Sequence, residues 1–334
     1  FDVNGVARAK HFYEILKRDM QAIDAFLPDL PVDNYTFIVY VDDLSEIGKM
    51  VTGKMGILKK IKLALRFRSL GLGALEHGNS STYYLADFGP SIPSSVKELS
   101  LDNQLSGAAI HEFMHILTPL GLHCQHIGNF NYTKPVMSKH LWLYEGVTEY
   151  FANFIKYKGG VYTPDEYLKE MQSKLLQGLD FPVAEMSFTE MSRRVLEEKY
   201  NKQYDQVYQR GAVLGMLLDA EIQRLSGGNK SLIDILLLLN SRYGANKSFD
   251  EESFISEFVK EVHPELQNFF SLYVEGKNQW KPNEQLNYIG IMYHDTLEEQ
   301  TLLSVIEDND VKVKPIGIGI EQMVLKTCLL YTSP

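Results

Sequence analysis

The run most able to do chemistry is His-Glu-Phe-Met-His, residues 111–115, within SGAAIHEFMHILTPLG. On an α-helix His111 and His115 stand about 40° apart on one face, so two imidazoles one turn apart can share a metal ion. Glu112 lies about 60° to the side of His115, near enough to reach a water that the metal activates without itself being a ligand. Ile110, Phe113, Met114 and Leu117 gather on the opposite face, toward a core. Gly107 and Ala108 flank the histidine face and leave room for a metal and a substrate. The chemistry is hydrolysis, with a metal to polarise and a carboxylate as general base. By itself the pattern arises by chance in on the order of one chain in a hundred of this size, as two satisfied histidines and a solvated glutamate.

Catalytic zinc takes three protein ligands and keeps one position open, so a third donor is required. The segment Leu141–Phe154 (LWLYEGVTEYFANF) offers two. Read as a helix, Trp142, Leu143, Val147, Tyr150, Phe151 and Phe154 form an apolar face, and Glu145 points about 150° from its centre. Glu149, one turn on, is the rival ligand, and both glutamates facing solvent is the plainer alternative. His123, His126 and His140 lie between the two segments and are expected to be loop histidines rather than a second metal site. Cys124 and Cys328 are far apart, with no zinc-ribbon or disulfide spacing, and are expected to be free thiols.

The elements that must position these residues are legible in outline. Residues 6–27 carry Val6, Phe12, Ile15, Leu16, Met20, Ile23, Phe26 and Leu27 at helical spacing, ended by Pro28 and Pro31. Residues 35–41 and 80–88 are β-branched and aromatic and predict strands. From Leu105 to about Val274 the pattern is helical, with helices over 203–226, 230–243, 250–261 and 264–274 broken at Gly227, Gly228, Gly244 and Pro264. Strands first and helices after make an α+β protein: a small mixed sheet subdomain over 1–104, a mainly helical subdomain with the metal site over 105–293, and a C-terminal segment over 294–334. In that last segment 311–313 and 316–320 are strand-like, and the closing TCLLYTSP fits no element. A net charge of −10 and a pI near 5.4 argue against nucleic acid and anionic membranes as main partners. No run of apolar residues is long enough to span a bilayer. The basic stretch 54–68 reads as a solvated face.

Three more segments sharpen this: Gly73–His77 (GALEH), Val207–Asp219 (VYQRGAVLGMLLD) and 273–276 (YVEG). With HEFMH and WLYEG, and in that order, they resemble the glycyl aminopeptidase family of the gluzincin clan of zinc peptidases, over about residues 10–293. The resemblance implies a thermolysin-like catalytic domain with one zinc held by His111, His115 and Glu145. It implies Glu112 as general base and then acid, and Tyr208 as donor of a hydrogen bond to the tetrahedral oxyanion. Glu76 would bind the substrate's free α-amine, with Gly73 and His77 beside it in the same motif. Taken from the residues alone, Tyr208 reads as a core aromatic on an amphipathic helix and Glu76 as an exposed strand carboxylate. Arg210 stands where the family usually has Lys, a change expected to be tolerated. The family's N-terminal β domain is not matched, and 294–334 would be at most the start of its PDZ-like domain, so the chain reads as a catalytic core cut from a longer protein. The expected substrates are peptides with a free N-terminus and a small first residue, Gly or Ala, and the expected location is periplasmic or extracellular.

Overall fold

The computed structural model describes residues 3–45, 73–89, 100–280, 283–293, 303–305 and 314–315. The basic stretch 54–68, Cys328, the strand-like runs 311–313 and 316–320 and the terminal TCLLYTSP lie outside the described residues. The fold is mixed α+β, a small sheet-containing region followed by a larger helical one. The chain divides into two compact units, Phe1–Ile116 with Lys158–Val161, and Leu117–Tyr157 with Tyr162–Pro334.

In the first unit, helix α1 (Val3–Phe26) and helix α2 (Leu101–Met114) pack against strands β1 (Thr36–Asp43), β2 (Gly73–His77) and β3 (Ser80–Asp87). β3 is central: it runs parallel to β1, with Thr36 opposite Ser80, and antiparallel to β2, with His77 opposite Ser80. Phe12 and Ile15 of α1, Tyr83 and Leu85 of β3 and Leu105 of α2 form the core, with Phe37, Val39 and Ala74 against it. Each fully buried side chain of this kind contributes about 1.5–3 kcal/mol relative to exposure. The apolar stripe of α1 begins later than its sequence suggests, for Val6 is exposed. Among the described residues, the pairing of β2 with β3 runs from His77 opposite Ser80 to Gly73 opposite Tyr84. The Gln104 side chain meets β3 two residues further on: its amide donates to the Ala86 carbonyl at 2.9 Å and its carbonyl accepts the Ala86 N–H at 3.1 Å. That pair pins α2 to the sheet in one register. Ser100 caps α2, accepting the Asn103 N–H, and the helical backbone carries on through His115.

The second unit is built on helix α3 (Thr148–Lys158), helix α4 (Pro164–Gly178) and helix α5 (Gln209–Ser226), with shorter helices after them. Residues 141–154 do not form one uniform α-helix. Trp142–Val147 is a π-helical turn that leads into α3. The turn lies against α5. A Cβ on Gly146 would stand 2.7 Å from the Gly211 Cα, so the two backbones touch through paired glycines. Four residues on, Gly215 meets Tyr150 in the same way, and four beyond that Asp219 accepts the Tyr150 hydroxyl at 2.7 Å. Gly211, Gly215 and Asp219 are thus one stripe of α5, shaped to receive the 146–150 segment. The predicted 203–226 helix is also broken: a 3₁₀ turn, Tyr204–Val207, precedes α5, and Tyr208 occupies its N-cap. α5 ends at Gly227 with φ of 63°, the left-handed cap that glycine adopts without a Cβ penalty. Arg210 is not a surface substitute for Lys. It is buried, its guanidinium 4.1 Å over the Trp280 ring and donating to Gln279 at 3.0 Å. Such stacking suits the flat guanidinium and not an ammonium. Short strands Ile291–Tyr293, Leu303–Val305 and Lys314–Pro315 form a second antiparallel sheet. No helix among the described residues is long and apolar enough to cross a membrane.

His140 lies in the turn before Trp142, as expected of a loop histidine, but it is fully buried. Its Nε2 donates to the Glu251 carbonyl at 2.9 Å and its Nδ1 accepts the Trp142 indole N–H at 3.1 Å, so the ring is neutral with one tautomer. Burial, with a smaller push from Lys139, lowers its pKa to about 4 against opposing contributions from Glu251 and Glu252. The unfolded chain therefore binds the proton first. Stability from this site is full above about pH 6.5 and falls toward pH 4, by about 3 kcal/mol at most. Urea unfolding across that range should show His140→Gln with a flatter pH dependence than the wild type; equal slopes would remove His140 as the cause.

Candidate metal centre

α2 presents His111, Glu112 and His115, all at least nine-tenths buried. The two imidazoles lie with ring centroids 4.7 Å apart and planes at 87°, edge to face. Among the described residues, two groups place one ligand atom per residue within 4.8 Å of one another: His111, His115 and Glu145, and Glu76, Glu112 and His115. Ligands about 2.0–2.2 Å from a tetrahedral zinc stand roughly 3.3–3.6 Å apart. Two imidazoles and one carboxylate are also the donor types that suit a catalytic zinc. The residues fit the metal.

Glu145, half-buried in the π-helical turn, is the carboxylate brought to the histidines. Glu149 is turned to other partners. Lys174 of α4 holds it at 2.7 Å, and the Asn153 amide donates to it at 3.2 Å. Among the described residues, the other histidines join neither group. His123 contacts the Pro119 carbonyl at 2.9 Å, and His126 lies 3.3 Å from Glu251.

Glu76 sits on β2, an edge strand, with Ala74 and Glu76 half-buried and Gly73, Leu75 and His77 exposed. Alternation along the strand thus sends Glu76 toward Glu112 and His115, while the His77 side chain points to the other face. Tyr35, which the sequence did not single out, lies beneath Glu112. Its ring packs on Phe113 at 4.9 Å, and its hydroxyl donates to the Glu112 backbone carbonyl at 3.5 Å. Burial pushes the Tyr35 phenol up to about 12; the Ser81 hydrogen bond lowers it, while Glu112 and Glu76 add to the rise. The only signal for it was its place at the start of the first predicted strand, 35–41.

Tyr208 is half-buried, its hydroxyl 3.5 Å from that of Tyr204. Burial first, then Glu145, Tyr204 and Glu149, hold its phenol far above the usual range. It therefore stays protonated and can only donate its proton in a hydrogen bond, not lose it, near neutral pH.

No curated protein matches this chain. Its fold is similar to that of an aminopeptidase N family protein from Idiomarina loihiensis, with a TM-score of 0.65, 18% identity and 85% of this chain covered. This chain spans 45% of that protein's length. Residues 104–214, the stretch with both histidines, both candidate carboxylates and Tyr208, match the M61 glycyl aminopeptidase family, so the part of the chain that is similar to a peptidase family is the part that carries the candidate His/Glu metal cluster.

Proposed function

We propose that this chain is the catalytic core of a zinc aminopeptidase with a thermolysin-like gluzincin fold, which removes the first residue of peptides and favours Gly or Ala there. The observation that carries the reading is the placing of Glu76 and Glu112 with His115, beside the cluster of His111, His115 and Glu145. His111, His115 and Glu145 would hold the zinc. When bound, the metal supplies Lewis acidity, lowering the pKa of a coordinated water from 15.7 to about 7 and polarising a carbonyl. Glu112 takes a proton from the attacking water and returns it to the leaving amine. Tyr208 donates its phenolic hydrogen bond to the oxyanion, and a donor in that role is worth about 2.7–4 kcal/mol. Glu76 pairs with the substrate's α-ammonium. The backbone of β2 from Gly73 to His77 lines the same edge.

Gly-, Ala- and Leu-p-nitroanilides, compared with N-acetyl-Ala-p-nitroanilide in the presence and absence of phenanthroline, test this. The expected result is chelator-sensitive cleavage of the free-amine substrates alone, Gly and Ala ahead of Leu. Equal cleavage of the blocked substrate would make the protein an endopeptidase. A chain with one zinc and no turnover on any of them would make it a peptide-binding protein.

A further inference from the structure

Lys174 is a buried cation with no place in the chemistry above. Its side chain is 7% exposed on α4, with Nζ 2.7 Å from Glu149 and 3.5 Å from Glu170. A lysine buried so deeply costs several kcal/mol unless it is paired. Burial alone would lower its pKa, yet Glu149 and Glu170 together raise it, so the ammonium is fully charged. Glu149 is itself largely buried, its side chain 19% exposed, and lies four residues beyond Glu145. Both glutamates act on the phenol of Tyr208. Without a counter-charge, two carboxylates would compete for one metal and place a second negative charge where an oxyanion must form.

Resting on the reading just given, we infer that Lys174 is a positioning residue of the metal centre: by clamping Glu149 it leaves Glu145 as the carboxylate that faces the metal and neutralises the charge Glu149 would otherwise present to Tyr208. The asymmetry begins in the chain itself. The π-helical turn 142–147 ends between the two glutamates, so Glu145 is carried on the turn and Glu149 on the regular helix that packs toward α4. Lys174 then holds that difference in place electrostatically. Glu170, at the same face of α4 and 41% exposed, shares the ammonium from the solvent side.

The test uses the cobalt(II)-substituted protein, whose visible spectrum reports ligand number and type independently of turnover. Lys174→Met should alter the cobalt spectrum as Glu149 enters the coordination sphere, and lower kcat about 10- to 30-fold with little change in KM, as one uncompensated charge at this range does. Adding Glu149→Gln to Lys174→Met removes that charge, and should restore both spectrum and kcat to near wild type. Lys174→Arg, which keeps the charge, should stay near wild type throughout. If Lys174→Met does not fold, Lys174→Gln makes the same comparison with a hydrogen bond retained. A folded Lys174→Met with unchanged spectrum and kcat overturns the inference, as does a double variant that recovers neither. A wild-type protein that takes up no cobalt or zinc is a different outcome: it would sink the zinc-peptidase reading itself.

Discussion

Glu112→Gln leaves a folded protein with its full zinc content that turns over peptides about 10³-fold or more slowly. The amide is the size of the carboxylate but cannot accept a proton from water, and positioned acid–base groups commonly supply about 10²–10⁴-fold. The surroundings are kept. Tyr35 contacts the backbone carbonyl of residue 112, not its side chain, and His111 and His115 are fixed by the helix on either side. One charge also leaves the crowded Glu76, Glu112, His115 group, so the folded state has no reason to be weaker. The measurements are kcat, zinc by atomic absorption and a thermal melt on one preparation. Turnover within tenfold of wild type would mean that another group accepts the proton, and Glu76, which shares a group with Glu112 and His115, would be the next to replace.

Gly146→Ala unfolds or loosens the second unit by more than about 2 kcal/mol, beyond the ordinary effect of a single added methyl. Its Cβ would lie 2.7 Å from the Gly211 Cα, 2.8 Å from the Gly211 carbonyl carbon and 2.9 Å from its oxygen. These are backbone atoms of α5 and cannot rotate aside, so the π-helical turn must move. Because Glu145 is the neighbouring residue, zinc affinity should fall in the same variant. Gly107→Ala is the matched control. Nothing lies within 4 Å of a Cβ there, so the better helix former should gain about 0.4–1 kcal/mol. Urea unfolding of the two variants separates the readings: equal and small effects would show that the 146–211 contact is softer than its distances state.

Much of the chemistry was legible without a fold, and for one reason: helical periodicity converts spacing into direction. His111, Glu112 and His115 stand on a regular helix, so counting at about 100° per residue placed them correctly. The apolar and open faces of α2 followed from Ile110, Phe113 and Gly107 in the same way. The same arithmetic was less secure from 141 onward, because Trp142–Val147 is π-helical and its angular step is smaller. No residue in that segment announces the wider turn. The stripe of Gly211, Gly215 and Asp219 that receives it lies far along the chain and is recognisable as a docking face only once its partner is known.

By itself, then, the sequence determined the helix with its two histidines and glutamate, the order of strands before helices, and two carboxylates as rivals for the third ligand. Among the described residues, Glu145 and not Glu149 groups with His111 and His115. Glu149 and Glu145 are alike in residue type, and what separates them in the fold is the π-helical turn that carries Glu145 and the Lys174 ammonium that holds Glu149. Tertiary structure likewise decided that Glu76 faces Glu112, since strand alternation offers two faces and packing of Ala74 on the core selects one. Local pattern sets which side chains share a face; which face meets which partner depends on contacts between residues far apart in the chain, and those exist only in the folded protein.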